Sequence, residues 1–195
     1  MKLVLATRNQ DKVNEMRHLF DTLPVDIRTV ADFPDAPEVD EDQPTLEGNA
    51  LKKARVLYEH TGLPSASDDT GLEVEALDGR PGVWAARYAG ENATYQDNVR
   101  KLLGEMQGKS HRTAHFRTVI AYVNGKEEHL FEGICSGKIQ HEQHGEGGFG
   151  YDPIFLPDGF ETTFAEMTIV EKHPISHRGK ALEKLHTFLQ DKMVK

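Results

Sequence analysis

Lys2 to Thr7, KLVLAT, is a short apolar run that reads as a buried strand, and residues 10 to 23 then set Val13, Met16, Leu19, Phe20 and Leu23 on one helical stripe. Val25 to Val30 alternates apolar and polar positions and reads as a second strand. The chain therefore opens β-α-β, which predicts a parallel pair with a right-handed connection. Residues 31 to 44, carrying Pro34, Pro37, Pro44 and the acids Asp32, Asp35, Glu38, Asp40, Glu41 and Asp42, read as a loop that cannot pack as core. Helical period returns over Thr45 to His60, with Leu46, Ala50, Ala54 and Leu57 inward, and Gly62 and Pro64 stop that helix.

A third helix is predicted over Thr94 to Met106, with Thr94 as N-cap and Val99, Leu102, Leu103 and Met106 inward. Thr113 to Val123 and Glu127 to Ser136 are rich in β-branched and aromatic residues around Asn124-Gly125, a hairpin signal that predicts long antiparallel strands. Residues 140 to 150 read as a Gly- and His-rich loop, Tyr151 to Pro157 as a short strand, and the last helix starts after a Ser176 cap with Leu182, Leu185, Phe188 and Leu189 inward. This order predicts an α/β fold: a mixed central sheet flanked by helices, in a single domain over residues 1 to 195 with two lobes and a cleft between them.

Composition narrows the partners. Of 195 residues, 23 are basic and 32 acidic, a formal charge of −9 that disfavours nonspecific duplex nucleic acid, whose phosphates need a basic face. A free nucleotide needs only a local basic pocket. The one cysteine, Cys135, cannot make an intrachain disulfide, which predicts a reducing cytoplasm. The N-terminal segment lacks the apolar core of a signal peptide and no run of 18 apolar residues occurs, so no membrane association is expected.

Four segments carry candidate chemistry. SDDTGLEVEALDGRPGVWAARYAG, residues 67 to 90, opens with Asp68 and Asp69 in what reads as a small-residue turn after a short strand beginning near Leu63. Two adjacent carboxylates either form a plain acidic turn or supply a Mg²⁺ ligand and a water-activating base. On a strand end their side chains diverge, so one faces the chemistry and the other supports it. A second metal acid is expected from the loop at 31 to 44, with Glu41 first, then Asp40 or Glu38. In ATRNQDK, Thr7 and Asn9 either cap the first helix or leave its N–H groups to an anion, with Lys12 adding charge. GGFGYDPIF, residues 147 to 155, places Phe149 between glycines, either folded into core or stacked on a flat base. SHRGKAL, residues 176 to 182, puts His177 and Arg178 in a first helical turn, where the helix dipole disfavours cations; the cost points either to an anion or carbonyl oxygen nearby or to a salt bridge with the acidic loop.

Together these segments, in this order, resemble the inosine triphosphate pyrophosphatase family of house-cleaning nucleotide hydrolases over nearly the whole chain. The resemblance implies Mg²⁺-dependent hydrolysis of ITP, dITP and XTP to the nucleoside monophosphate and pyrophosphate by a homodimer of elongated α/β subunits. Position by position it implies phosphate contacts from Thr7, Asn9, Lys12 and Lys53, and a catalytic base and metal ligand in Asp69 with Glu41 as acidic partner. It implies a base and sugar pocket from Phe149, Gly150, Tyr151 and Asp152, and purine reading by Lys172, His177 and Arg178. Thr70 stands where serine is common and keeps the hydroxyl, whereas Trp84 and Ala85 depart from the frequent Tyr and Ser.

Overall fold

Strand order in the computed structural model, which describes residues 1–20 and 23–194, runs β2-β1-β3-β5-β6-β7, with β4 beside β3. The strands are β1 (Lys2–Leu5), β2 (Asp26–Thr29), β3 (Ser65–Val74), β4 (Pro81–Gly82), β5 (Thr113–Val123), β6 (Glu128–Ile139) and β7 (Phe155–Pro157). The helices are α1 (Gln10–Phe20), α2 (Leu46–Thr61), α3 (Tyr95–Glu105), α4 (Ile169–Lys172) and α5 (His177–Val194). β1 pairs in parallel with β2 and β3, while β3–β4 and β6–β7 are antiparallel, so the sheet is mixed as the element order predicts. Residues 21, 22 and 195 and the side chains of His18, Leu19 and Val194 lie outside the described residues; they include Leu19 of the predicted stripe and part of the predicted end of the first helix.

The chain divides into two compact units. The first comprises Met1–Asp69, Thr118–Gly133 and Lys180–Lys195. Its β1 obeys the two-residue period of a strand: Leu3 and Leu5 join Met16 and Phe20 of α1 and Leu182, Leu185 and Leu189 of α5, while Val4 joins Leu57 of α2 with Val30 and Ala36. The sheet here is buried on both faces, which explains why β1 reads as a continuous apolar run. Ala36 belongs to this core, so the proline-rich loop is not wholly solvated as expected. Thr45 caps α2 by accepting from the Gly48 N–H, and Gly62 closes it with φ 66°, a left-handed conformation that glycine adopts without steric cost.

The second unit comprises Thr70–Arg117 and Ile134–Gly179. Its core gathers Leu72 and Val74 of β3, Val99 and Leu102 of α3, Phe116 of β5 and Ile139 of β6 around Phe155 and Phe164. Thr94 and Asp97 form a reciprocal cap on α3. The short α4, capped in the same way by Thr168 and Glu171, was not visible in the hydrophobic period because one helical turn has too few positions to show one.

β3 corrects the reading of the carboxylate pair. Asp68 and Asp69 lie inside a ten-residue strand, not in a turn at a strand end. Both are buried. Turn-like composition is overridden here because each carboxylate finds a lysine from another part of the chain.

Candidate functional site

Alternation along β3 sends the two carboxylates to different partners. Ala66, two residues before Asp68, packs with the α1–α5 core, and Asp68 Oδ2 meets Lys12 Nζ of α1 at 3.0 Å. Asp69 meets α2 instead: its Oδ2 accepts from Asn49 Nδ2 at 3.1 Å and its Oδ1 from Lys53 Nζ at 3.3 Å. Lys53 Nζ also donates to Glu41 Oε1 at 2.5 Å and to the Asp68 carbonyl at 2.8 Å. Three carboxylates and two ammoniums thus form one cluster, placed by α1, α2, β3 and the acidic loop.

The loop is hooked onto α2 by residues at helical spacing. Asn49 Oδ1 accepts from Gln43 N at 2.9 Å, and Lys52 Nζ donates to Asp40 O at 2.9 Å and Asp42 Oδ1 at 2.8 Å. Glu41 therefore brings its carboxylate to Lys53, while Asp40 offers a backbone carbonyl to Lys52 and Glu38 is exposed. Asn49 was missed in the sequence. It is fully buried and links the loop to Asp69; the available signal was its place four residues before Lys53, which puts both on one helix face.

Electrostatics separate the acids. Burial, with the charge of Glu41, raises the Asp69 carboxyl above its ordinary value against the opposing pull of Lys53, Lys12 and Asn49. Burial also pushes Glu41 upward, but the charge and hydrogen bond of Lys53 bring it below its ordinary value. For Lys53 burial favours the neutral amine, and Asp69, Glu41 and Asp68 outweigh it, so the ammonium is held charged. Asp69 is thus the better proton acceptor of the two acids.

Thr7 and Asn9 act as helix caps. Thr7 Oγ1 accepts from Asn9 N at 3.2 Å, and Asn9 Oδ1 accepts from Asp11 N at 3.0 Å and Lys12 N at 3.2 Å. These caps fix the first turn of α1 and with it the stem of Lys12. Lys12 is not a solvated surface lysine; it is held by Asp68.

In the second unit, cations gather on aromatic rings. The ring of half-buried Phe149 has Lys172 Nζ 5.0 Å and the Arg178 guanidinium 5.2 Å from its centroid, with Tyr95 tilted 41° at 6.0 Å. His177 stacks on Phe116 at 4.4 Å and 17°. Asp152 Oδ2 accepts from Lys172 Nζ at 2.7 Å and Phe149 N at 2.9 Å, both Lys172 and Asp152 being buried. Arg178, also buried, donates to Thr70 Oγ1 at 3.3 Å. Gly150, at φ 62°, lets the loop turn from Phe149 to Tyr151. Tyr151 lies in the core with its hydroxyl donating to Ala85 O at 2.8 Å, so its ring supports the loop from beneath.

SHRGKAL is explained in part by packing. Ser176 Oγ caps α5 by accepting from Gly179 N at 3.0 Å, and a Cβ at Gly179 would overlap the His173 carbonyl oxygen. The close approach holds His177 and Arg178 inward at the start of α5. Among the described residues no group of three or more His, Cys, Asp or Glu side chains is suited to hold a metal ion, and no helix is long and apolar enough to cross a membrane.

Comparison with known proteins agrees with the motifs. The Ham1 family model matches residues 3–188. The dITP/XTP pyrophosphatase of Thermoanaerobacter pseudethanolicus is 46% identical over 191 residues, 97% of this chain and 96% of that protein. The dITP/XTP pyrophosphatase of Porphyromonas gingivalis is 48% identical over 189 residues, 96% and 97% of the two chains. Among solved structures, a HAM1 protein from Coxiella burnetii superposes with a TM-score of 0.90 at 39% identity, covering 98% of this chain and 99% of its own. With the family model spanning nearly the whole sequence and relatives this similar at full length, the chain belongs to the Ham1 family.

Proposed function

We propose that the chain is a nucleoside triphosphate pyrophosphatase that hydrolyses ITP, dITP and XTP to the nucleoside monophosphate and pyrophosphate with Mg²⁺, removing these nucleotides from the cytoplasmic pool. The observation that carries this reading is Asp69: a buried carboxyl of raised basicity, fixed by Asn49 and flanked by Glu41 and two lysines. Asp69 takes the proton of the attacking water. Lys12 and Lys53 bind the phosphates and stabilise the leaving pyrophosphate, and the capped turn at Thr7 and Asn9 positions Lys12 for this.

The donor set fits Mg²⁺. Asp69 and Glu41 are hard oxygen donors, and a site completed by water and phosphate oxygens needs no more than these two side chains. When bound, the ion offsets negative charge developing on the phosphate oxygens.

Phe149 offers the base a stacking surface, with Gly150 allowing close approach and Asp152 and Tyr151 fixing the loop. A base stacked there has Lys172 and Arg178 about 5 Å from the same ring. Hypoxanthine and xanthine present a 6-oxo acceptor to these donors and to His177, whereas adenine leaves them facing another donor. Thr70 holds Arg178 for that contact.

The resemblance supports a homodimer of single-domain subunits, which light scattering of the purified protein tests; a monomer at working concentration would remove that part. The decisive assay incubates the protein with Mg²⁺ and a panel of NTPs and dNTPs and quantifies pyrophosphate and orthophosphate separately. Pyrophosphate from ITP, dITP and XTP is expected. Orthophosphate as the product, or equal rates on ATP, would replace this reading.

A further inference from the structure

We propose that Lys53 is a built-in counter-ion that competes with the divalent cation for the same oxygens, so that the metal enters the site together with the phosphate that gives Lys53 a new partner. The inference rests on the reading of this cluster as a metal and phosphate site. An ammonium has three N–H groups, and Lys53 directs its Nζ to three oxygens: Glu41 Oε1 at 2.5 Å, the Asp68 carbonyl at 2.8 Å and Asp69 Oδ1 at 3.3 Å. Its hydrogen-bonding capacity is filled from within the protein, so contact with a phosphate requires release of one of these acceptors.

The acceptors it releases are the ones a cation needs. Glu41 and Asp69 are the two carboxylates expected to hold the metal, and the ammonium lies on the point where they converge. Charge gives the same answer. Glu41, Asp68 and Asp69 against Lys12 and Lys53 leave one net negative charge, so a dication entering alone makes the cluster positive and meets an ammonium in a site where Lys53 is only 11% exposed. Like charges repel strongly where water is excluded. A triphosphate reverses this balance: its anionic oxygens take the lysine ammoniums in charge-assisted hydrogen bonds and leave the carboxylates to the ion. The free protein therefore resists metal, and the metal-loaded state forms on the substrate.

The test uses Mn²⁺ as the probe and the full chain. Calorimetric titration compares wild type, Lys53→Gln and Lys12→Gln. Both variants lose one positive charge, but only Lys53→Gln vacates the oxygens of Glu41 and Asp69. Lys53→Gln is expected to bind Mn²⁺ at least about tenfold tighter than wild type, and Lys12→Gln within about threefold. Equal affinity in Lys53→Gln and wild type, or the same gain in both variants, overturns the proposal. A second measurement needs no variant: the Lys53 ¹⁵Nζ resonance of ¹⁵N-lysine-labelled protein is followed during addition of Mg²⁺ alone and then with an α,β-imido ITP analogue. Mg²⁺ alone is expected to leave it in place and the Mg²⁺-analogue complex to move it. Displacement by Mg²⁺ alone overturns the counter-ion role while leaving the metal site standing. No response to either ligand overturns the site reading and the proposal with it.

Discussion

Asp69→Asn preserves side-chain shape and removes one charge, which separates the catalytic role proposed for this residue from its structural one. In the protein its Oδ2 accepts from Asn49 at 3.1 Å and its Oδ1 from Lys53 at 3.3 Å. An asparagine still offers one acceptor oxygen, and Lys53 keeps Glu41 at 2.5 Å and the Asp68 carbonyl at 2.8 Å. The variant should bind nucleotide and lose turnover. Loss of a general base costs about 10²–10⁴ in kcat, or about 3–5 kcal/mol in the barrier.

Stability should move the other way. Burial and the neighbouring Glu41 raise the folded-state pKa of Asp69, so the folded protein holds this proton more tightly than the unfolded chain. Stability then falls as pH rises from the unfolded carboxylate value of about 3.9 through the higher folded value, and above that the loss is complete. The amide of the Asp69→Asn variant never ionises and carries no such loss. In EDTA, Tm of the variant should match or exceed wild type at pH 7, with the difference shrinking as pH falls toward about 4. The assays are pyrophosphate release from ITP, calorimetric binding of the α,β-imido analogue, and thermal unfolding across pH. A kcat within about threefold of wild type would refute the base assignment, since even a weak general base is worth more. A large drop in Tm at pH 7 would refute the electrostatic account.

Asn49→Ala removes the donor to Asp69 Oδ2 and the acceptor for Gln43 N, two buried hydrogen-bonding groups, so unfolding free energy should fall by about 1–3 kcal/mol and kcat should fall more than KM rises; denaturant titration and steady-state kinetics check both, and unchanged kcat would remove Asn49 as a positioning residue. Arg178→Ala should cut the preference for ITP over ATP by about tenfold or more, measured as the ratio of kcat/KM values, and an unchanged ratio would count against base reading at Arg178. Gly179→Ala places a Cβ on the His173 carbonyl and should lower stability by about 1–3 kcal/mol, read from urea midpoints; a neutral result would mean that the start of α5 shifts freely.

Why some of this was legible and some was not is clearest along α2 and β3. The ends of α2 were written in local chemistry, a Thr45 cap and a Gly62 stop, and the hairpin was written in Asn124-Gly125, so both could be read from a few neighbouring residues. Asn49 offered only its spacing to Lys53, because an asparagine inside a helix carries no apolar period and its meaning comes from Asp69, twenty residues on. Phe149 and Tyr151 show the same limit within one motif: both are aromatic and both flank Gly150, yet Phe149 is half-buried beneath two cations and Tyr151 is in the core bonded to Ala85.

Asp68-Asp69 is the sharpest case. Ser-Asp-Asp-Thr-Gly has the composition of a turn, and two adjacent carboxylates could enter a buried strand only if each met a counter-charge on its own face. Lys12 of α1 and Lys53 of α2 meet that condition from opposite sides of β3. Strand geometry then divides the labour: alternation aims Asp68 at the lysine of one helix and Asp69 at the asparagine and lysine of the other. Glu41 pairs with Lys53, the lysine that also holds Asp69 Oδ1, so Asp69 shares its counter-ion with a second acid. That shared contact with Lys53, and no difference in chemistry between two aspartates, is why Asp69 is the one proposed as base, while Asp68 holds Lys12.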